Sequence, residues 1–382
     1  MKVLLITEFF PYSRKLQFTG GVEARTFYIA KYLSKKNKVM VICRKPCSDT
    51  KTEVSKVYQN IKIIRCGTKV SNIEANFFSI FERIIFIFSA FIKGLSLNFD
   101  VVEGSNFVTY LPAYFLGFLK GKPCISWWPD VLGKKWVSYF GMTGIFGQLI
   151  EFISLKLPWS KVIALSQSTK FKLIKFGVNK NKINVIYGGV EFEKLNSLKI
   201  QKLKKKNIIC ISRLVSYKRV DDLIKAFSLL VKKHKDVSLI IIGQGPKEKV
   251  YKKLVGSENL KKRVVFLKNI SRDRLLQLLK QSYIFCLPSL IEGFGLATVE
   301  AAACGIPYVI ADIKVNKEIT FGGQGGLVFK KKNINDLKRK IELLIEDKNL
   351  YIEKKKEGLV LAKRYQWRKI AEKTEKIYSL LI

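Results

Sequence analysis

The residues best suited to chemistry lie in one run, Pro288-Ser289-Leu290-Ile291-Glu292-Gly293-Phe294-Gly295-Leu296-Ala297-Thr298-Val299-Glu300, which continues to Gly305-Ile306-Pro307. An apolar strand pattern precedes it and Gly305-Ile306-Pro307 is a helix stop, so the run reads strand, glycine turn, helix. Gly293 and Gly295 let a backbone approach a ligand closely, and free amides at a helix start attract phosphate. Glu292 falls in the loop and Glu300 inside the helix. The two carboxylates would accept hydrogen bonds from different parts of one extended ligand, as the hydroxyls of a sugar and a ribose require, rather than act as a close acid pair. The plain alternative is a surface glutamate and an ordinary helical one.

A second run, Ser212-Arg213-Leu214-Val215-Ser216-Tyr217-Lys218-Arg219, follows the strand pattern Ile208 to Ile211. Preorganised Arg213 and Lys218 would neutralise the charge that develops on a diphosphate leaving group. In so lysine-rich a chain, Lys218 also reads as a solvated side chain. Near the N-terminus, Thr19-Gly20-Gly21-Val22-Glu23 links the first strand to a helix whose polar start includes Arg25. Adjacent glycines there would let a backbone touch a ligand, and they also make ordinary turns. Gly243-Gln244-Gly245-Pro246 follows a strand but lacks the third glycine of a dinucleotide fingerprint, which argues against dehydrogenase chemistry.

These loops need strands to carry them. Apolar β-prone runs recur between helical stretches at Val3 to Ile6, Val39 to Cys43, Ile61 to Ile64, Val101 to Val102, Cys124 to Trp127 and Val162 to Leu165. Runs buried on both faces and separated by helices predict a parallel sheet. The pattern restarts after a Lys-rich segment, Lys194 to Asn207, with Ile208 to Ile211, Leu239 to Ile242, Val264 to Leu267, Ile284 to Leu287 and Tyr308 to Ile310. Two α/β domains follow, 1–190 and 191–365, with a final helix over 366–382 that packs back on the first. Each is Rossmann-like and doubly wound, and a cleft between them is the default ligand site.

Length and composition bound the rest. A chain of 382 residues with 48% apolar content exceeds one ordinary core, and 70 basic against 30 acidic residues give a net charge of +40. That sign predicts anionic partners without choosing among nucleotide, anionic lipid and nucleic acid. No basic stripe with interleaved aromatics or nucleic-acid module accompanies it, so no specific nucleic acid is expected; a non-enzymatic nucleic-acid-binding protein stays the competing class. The seven cysteines, Cys43, Cys47, Cys66, Cys124, Cys210, Cys286 and Cys304, lack CxxC spacing and read as reduced core thiols. The first residues enter a strand with no signal-peptide pattern, which predicts a cytoplasmic protein. The apolar stretch Phe77 to Ile92 carries Glu82 and Arg83 and is shorter than a membrane span. Either it packs on the first sheet, or it rests with neighbouring lysines on an anionic membrane at the inner face.

Together these segments resemble the retaining glycosyltransferases of family 4, of GT-B fold, over essentially the whole chain. That family carries two glutamates at the spacing of Glu292 and Glu300 in a matching glycine-phenylalanine-glycine context. The resemblance implies Glu292 on donor-sugar hydroxyls, Glu300 on the ribose, Gly293, Phe294, Gly295 and Leu296 on the phosphates and sugar through the backbone, and Asn269 near the nucleobase. It also implies Gly20 and Gly21 on the diphosphate, with Arg213 and Lys218 as its cationic pair. The donor would be a nucleotide-diphosphate sugar and the acceptor a hydroxyl of a glycan, a lipid-linked saccharide or a small molecule, with no metal and no further cofactor. Many members place a histidine after the strand that here reads Cys124 to Trp127; this chain has only His234, which leaves Asp130 as the substitute. Lys268 stands where a glycine is common. A GT-B-like epimerase or phosphorylase shares the architecture and is the second alternative.

Overall fold

The computed structural model describes residues 1–11, 20–46, 55–56, 61–69, 77–197, 200 and 206–382, with Ser55, Lys56 and Phe77 described by backbone alone. Thr19, Cys47 and most of the Lys-rich segment before Asn207 lie outside the described residues. Two units result, Met1–Gly188 with Trp367–Ile382, and Gly189–Gln366.

The first unit winds around a sheet of β1 (Lys2–Ile6), β2 (Lys38–Lys45), β3 (Ser55–Lys56), β4 (Ile61–Lys69), β5 (Val101–Gly104), β6 (Cys124–Trp128), β7 (Lys161–Ala164) and β8 (Ile183–Val185). Its order is β3-β4-β2-β1-β5-β6-β7-β8, parallel throughout except for the short antiparallel edge strand β3. The helices are α1 (Gly21–Leu33), α2 (Phe77–Leu95), α3 (Phe107–Leu119), α4 (Lys135–Phe140), α5 (Gly144–Lys156) and α6 (Gln167–Lys175). The second unit has a six-stranded parallel sheet of β9 (Lys206–Ile211), β10 (Val237–Ile242), β11 (Val264–Leu267), β12 (Ile284–Leu287), β13 (Tyr308–Ala311) and β14 (Gly326–Phe329), ordered β11-β10-β9-β12-β13-β14. Around it stand α7 (Phe192–Ser197), α8 (Val220–Leu230), α9 (Glu248–Ser257), α10 (Arg272–Gln281), α11 (Leu296–Ala303), α12 (Lys314–Ile319), α13 (Ile334–Glu346) and α14 (Lys348–Ala362).

The central strands are apolar on both faces because helices cover both. Leu4, Leu5, Ile208 and Ile209 are all buried. The sequence reading does not pick out β8 or β14. β8 has three residues, and β14 leaves a run of glycines that signals a turn instead of a strand.

The C-terminal helix α15 (Trp367–Ser379) belongs to the first unit. Trp367, Ile370, Ala371, Thr374, Ile377 and Tyr378 are its buried side chains, one helical stripe. Trp367 stacks on Tyr28 at 5.0 Å, and the Tyr378 hydroxyl donates to Glu103 at 2.6 Å. Glu103 also accepts both guanidinium nitrogens of Arg25, with every partner buried. Arg25, read from sequence as part of a polar helix start, is therefore a core residue. Burial works against its charge, and Glu103 and Tyr378 outweigh burial and hold its pKa above the usual value.

The six described cysteines are free and buried. Burial pushes the Cys43 thiol up to about 11 and those of Cys66, Cys210 and Cys304 up to about 12, so none is a reactive thiolate. Helix α2 runs to Leu95 and does two things at once: Phe86 and Ala90 enter the core while Phe81 and Phe88 face outward. No helix among the described residues is long and apolar enough to cross a membrane.

Glu103→Gln leaves the buried Arg25 charge without its counter-ion, which costs about 3–5 kcal/mol. Tyr378→Phe removes one hydrogen bond to a charged group, about 1.5–3 kcal/mol. Urea denaturation should rank the two in that order, with Tyr378→Phe midway between Glu103→Gln and wild type.

Candidate functional site at the switch between β9 and β12

Strands β9 and β12 are neighbours, yet the chain leaves β9 toward β10 and β11 and leaves β12 toward β13 and β14. Winding reverses between them, so their carboxyl-end loops diverge and frame a crevice, the usual ligand site of an open parallel sheet. The two sequence runs singled out for chemistry emerge there.

The loop after β9 is set by backbone contacts. Leu214 N–H donates to the Gln244 carbonyl and Lys247 N–H to the Leu214 carbonyl, both at 2.9 Å. A Cβ on Gly243, whose φ is +150°, would run into the Ser212 carbonyl oxygen. That glycine serves loop-on-loop packing and not a dinucleotide. Past this contact the chain makes a short turn, Ser216–Lys218. Tyr217 within it gathers the site: its hydroxyl accepts from Arg213 at 2.6 Å, its ring lies 5.7 Å from the Lys218 ammonium, and its carbonyl accepts from Leu290 N–H at 2.9 Å. The last contact ties the β9 loop to the β12 loop. Arg219, next in line, spends its charge on Asp222 and Asp221; the Asp222 hydrogen bond is the main reason its pKa is raised.

In the β12 loop Glu292 accepts a hydrogen bond from Lys218 at 2.5 Å, with both side chains largely buried. Gly295 then caps α11 in the left-handed region, φ +79° and ψ +49°, which a residue with a Cβ adopts only at a cost. The buried Phe294 ring packs edge-on against Tyr365 at 5.3 Å and anchors the turn from behind. Leu296 opens the helix. Thr298 Oγ1 and Asn316 Oδ1, buried beside Gly295, have no hydrogen-bond partner among the described residues. Unspent buried polarity of this kind costs stability and marks sites shaped for another purpose.

Glu300, one turn into α11, is held in a fork by Arg272: Nη2 bonds Oε1 and Nη1 donates to Oε2 at 3.2 Å. Arg272 opens α10, just past Asn269, and sequence reasoning missed it, as it missed Tyr217. Asn269 itself is exposed in a left-handed turn, φ +53°, a conformation asparagine tolerates. The Lys268 ammonium reaches 3.8 Å from Glu248.

The structure thus brings Arg213, Lys218, Glu292, Gly293, Phe294, Gly295, Leu296 and Glu300 to one end of one sheet. Gly20, Gly21 and Asp130 belong to the other unit. Gly20 is exposed with extended backbone before α1, and a Cβ there would meet nothing. Asp130 Oδ1 accepts from Lys172 at 2.5 Å and from Val131 N–H at 2.8 Å, so its charge is already engaged. His234 lies 3.4 Å from Glu342 and 3.2 Å from Glu346 on α13, where Lys233 and Lys338 bond the same carboxylates.

Two family models match the chain: one described as Glycosyltransferase Family 4 over residues 19–194 and one described as Glycosyl transferases group 1 over residues 191–359. An uncharacterized glycosyltransferase of Methanocaldococcus jannaschii is 30% identical over 233 residues, 58% of each chain. The capsular polysaccharide biosynthesis glycosyltransferase CapM of Staphylococcus aureus is 30% identical over 207 residues, 50% of this chain and 53% of that protein. The chain thus spans little more than half the length of these relatives. Among solved structures, Anabaena HepE in complex with UDP-glucose superposes with a TM-score of 0.78 at 19% identity, covering 100% of both chains.

Arg272→Met strands the Glu300 carboxylate in a largely buried position and should cost about 1.5–3 kcal/mol. A double-mutant cycle with Glu300→Gln, read by thermal and urea unfolding, should return a coupling energy well above the few tenths expected of independent sites.

Proposed function

This chain belongs to the GT-B glycosyltransferases of group 1, and on that premise we propose that it moves a sugar from a nucleotide-diphosphate sugar to a hydroxyl acceptor with retention at the anomeric carbon. The observation that carries the reading is the Lys218–Glu292 pair at the β9/β12 crevice, with Glu300 held by Arg272 one turn further on.

Each side chain has a role its chemistry supports. Glu300 keeps lone pairs beyond those used by Arg272, and these accept the ribose hydroxyls. Because a bidentate Arg fixes the carboxylate plane, little ordering is left to do when the nucleotide arrives. Glu292 offers its second oxygen to hydroxyls of the donor sugar. The first turn of α11, opened by Gly295 and Leu296, presents backbone N–H groups to a phosphate. Lys218 and Arg213 compensate the charge that grows on the diphosphate as the glycosidic bond breaks. Arg213 is exposed and, among the described residues, is steered by the Tyr217 hydroxyl, which lets it swing onto an arriving phosphate.

Retention follows if a donor phosphate oxygen takes the acceptor's proton on the face the leaving group vacates, a step that requires no histidine. With two cations at the phosphates, the reading also requires no metal. HepE, bound to UDP-glucose, and CapM, named for capsular polysaccharide biosynthesis, support a nucleotide-hexose donor and a glycan acceptor. A lipid-linked saccharide at an anionic membrane is the membrane-proximal form of the same acceptor chemistry.

Calorimetry against UDP-, GDP- and ADP-sugars should find one tight donor class. Glu300→Ala should then weaken it roughly ten- to a hundredfold, matching the loss of a hydrogen bond to a charged group of about 1.5–3 kcal/mol. Unchanged affinity in a folded variant would overturn the ribose assignment. Lys218→Ala should lower turnover more than donor affinity, because its charge matters most as the bond breaks. Turnover should survive a chelator; loss restored by magnesium or manganese would exclude the metal-free reading.

A further inference from the structure

The helices on one side of the first sheet have two faces with the same chemistry. Inward, Phe86 of α2, Leu116 of α3, Leu155 of α5 and Leu173 of α6 build a single core against β1, β5, β6 and β7. Outward, where a surface helix normally turns polar groups to water, the layer presents more rings and aliphatics. Phe81 and Phe88 on α2 are 61% and 64% exposed, Phe115 and Phe118 on α3 are 46% and 68%, and Leu149 and Phe152 on α5 are 56% and 57%. On α2 these fall in a stripe with Phe78, Ile92 and Leu95, opposite the buried Phe86 and Ala90.

The stripes adjoin. α2 packs on α3 and α3 on α5, and α2 approaches α3 so closely at Gly94 that a Cβ there would strike the Leu116 side chain. Large exposed rings and aliphatics on three adjoining helices are more than the singly scattered apolar residues of an ordinary surface.

Among the described residues beside it, lysines prevail and the acids are buried or engaged. Between residues 107 and 182 there are eleven lysines and only two acidic residues, Asp130 and Glu151. Asp130 is engaged by Lys172, and the buried Glu151 accepts backbone N–H groups from Leu132 and Gly133 at 3.0 and 2.6 Å. On α2, Glu82 is buried against Arg44. Lys93, Lys120 and Lys156 stand at the helix ends, the last with its ammonium 5.9 Å over the Phe152 ring.

We infer that the outer face of α2, α3 and α5 seats the protein on an anionic lipid bilayer, with the aromatic and aliphatic side chains in the headgroup region and the lysines on lipid phosphates. Rings at the interface with lysines around them are what such a boundary rewards. A second copy of the chain fits less well, because it would bring two lysine rims face to face. The inference rests on this unit alone and stands or falls independently of the donor chemistry in the other.

Co-sedimentation of the full chain with vesicles tests it. Phosphatidylcholine vesicles containing phosphatidylglycerol should retain the protein, and pure phosphatidylcholine vesicles should retain much less. Retention should fall as salt rises. The triple variant Phe81→Ser, Phe118→Ser, Phe152→Ser should lose roughly tenfold or more in partitioning, with an unchanged thermal melt, since all three side chains face solvent. Lys120→Glu with Lys156→Glu should remove the preference for the anionic vesicles. Equal retention by both vesicles, none by either, or undiminished retention of the triple variant overturns the proposal. So does a dimer in light scattering that the triple variant abolishes, which would assign the face to a second copy.

Discussion

The reversal of winding between β9 and β12 is the constraint from which the candidate site follows. Parallel strands joined by right-handed crossovers place every loop–helix junction at the same sheet edge. Only at the reversal do two neighbouring loops turn away from each other instead of packing side by side. Topology brings the loop after β9 beside the loop after β12, and Lys218 of the first then reaches Glu292 of the second at hydrogen-bond distance. The Leu290–Tyr217 backbone hydrogen bond then fixes the register of one loop on the other. Gly243 keeps the first loop down on its neighbour, and Gly295 turns the second into α11.

Charge compensation decides which groups remain available. A half-buried carboxylate without a partner would be expensive, and each carboxylate of the crevice is supplied with one: Lys218 for Glu292 and Arg272 for Glu300. The two cations are not interchangeable. Arg272 grips both oxygens of Glu300 and fixes its plane, a positioning task, whereas the Lys218 ammonium is a point charge on a flexible stem that exchanges one anion for another at little geometric cost. Arg213, bonded among the described residues to a neutral phenol, is the cation of the loop with the most charge left to give.

What the sequence disclosed and what it hid divide along the same physical line. The Glu292–Glu300 run was legible because glycine, helix start and helix stop are local signals, and the structure places its strand, turn and helix where those signals put them. Eight of the eleven β-prone runs needed only continuous apolarity; Lys62 and Ser126 interrupt two more, and Val101 to Val102 is so short that its neighbours had to lend it meaning. Arg272 and Tyr217 were invisible because their roles depend on partners brought in by the sheet, 28 residues away for Glu300 and across a loop for Leu290. Arg25 misled for the opposite reason: a charged residue at a helix start looks solvated until Glu103 and Tyr378 are seen closing over it. For α2, periodicity failed because the stripe that enters the core includes Ser79 and Glu82 beside Phe86 and Ala90, while the more apolar stripe of Phe78, Phe81, Phe88 and Ile92 is the exposed one.

That failure bears on how the charge of +40 should be read. At physiological ionic strength a charge is felt over about 8 Å, so lysines scattered over the surface do not add to one long-range field. Their number therefore says little, and their setting says most of what there is to know. Where carboxylates stand beside them, as at Lys233 and Lys338 on Glu342, the charge is consumed within the fold. It persists where a cation has no carboxylate bonded to it among the described residues, as at Arg213, Lys120 and Lys156, and these stand in two chemically distinct settings. One is a polar crevice with unspent hydrogen-bonding groups, which suits a compact, multiply charged ligand. The other is an apolar helical face, which a hydrated small anion would not cover and an extended amphipathic surface would.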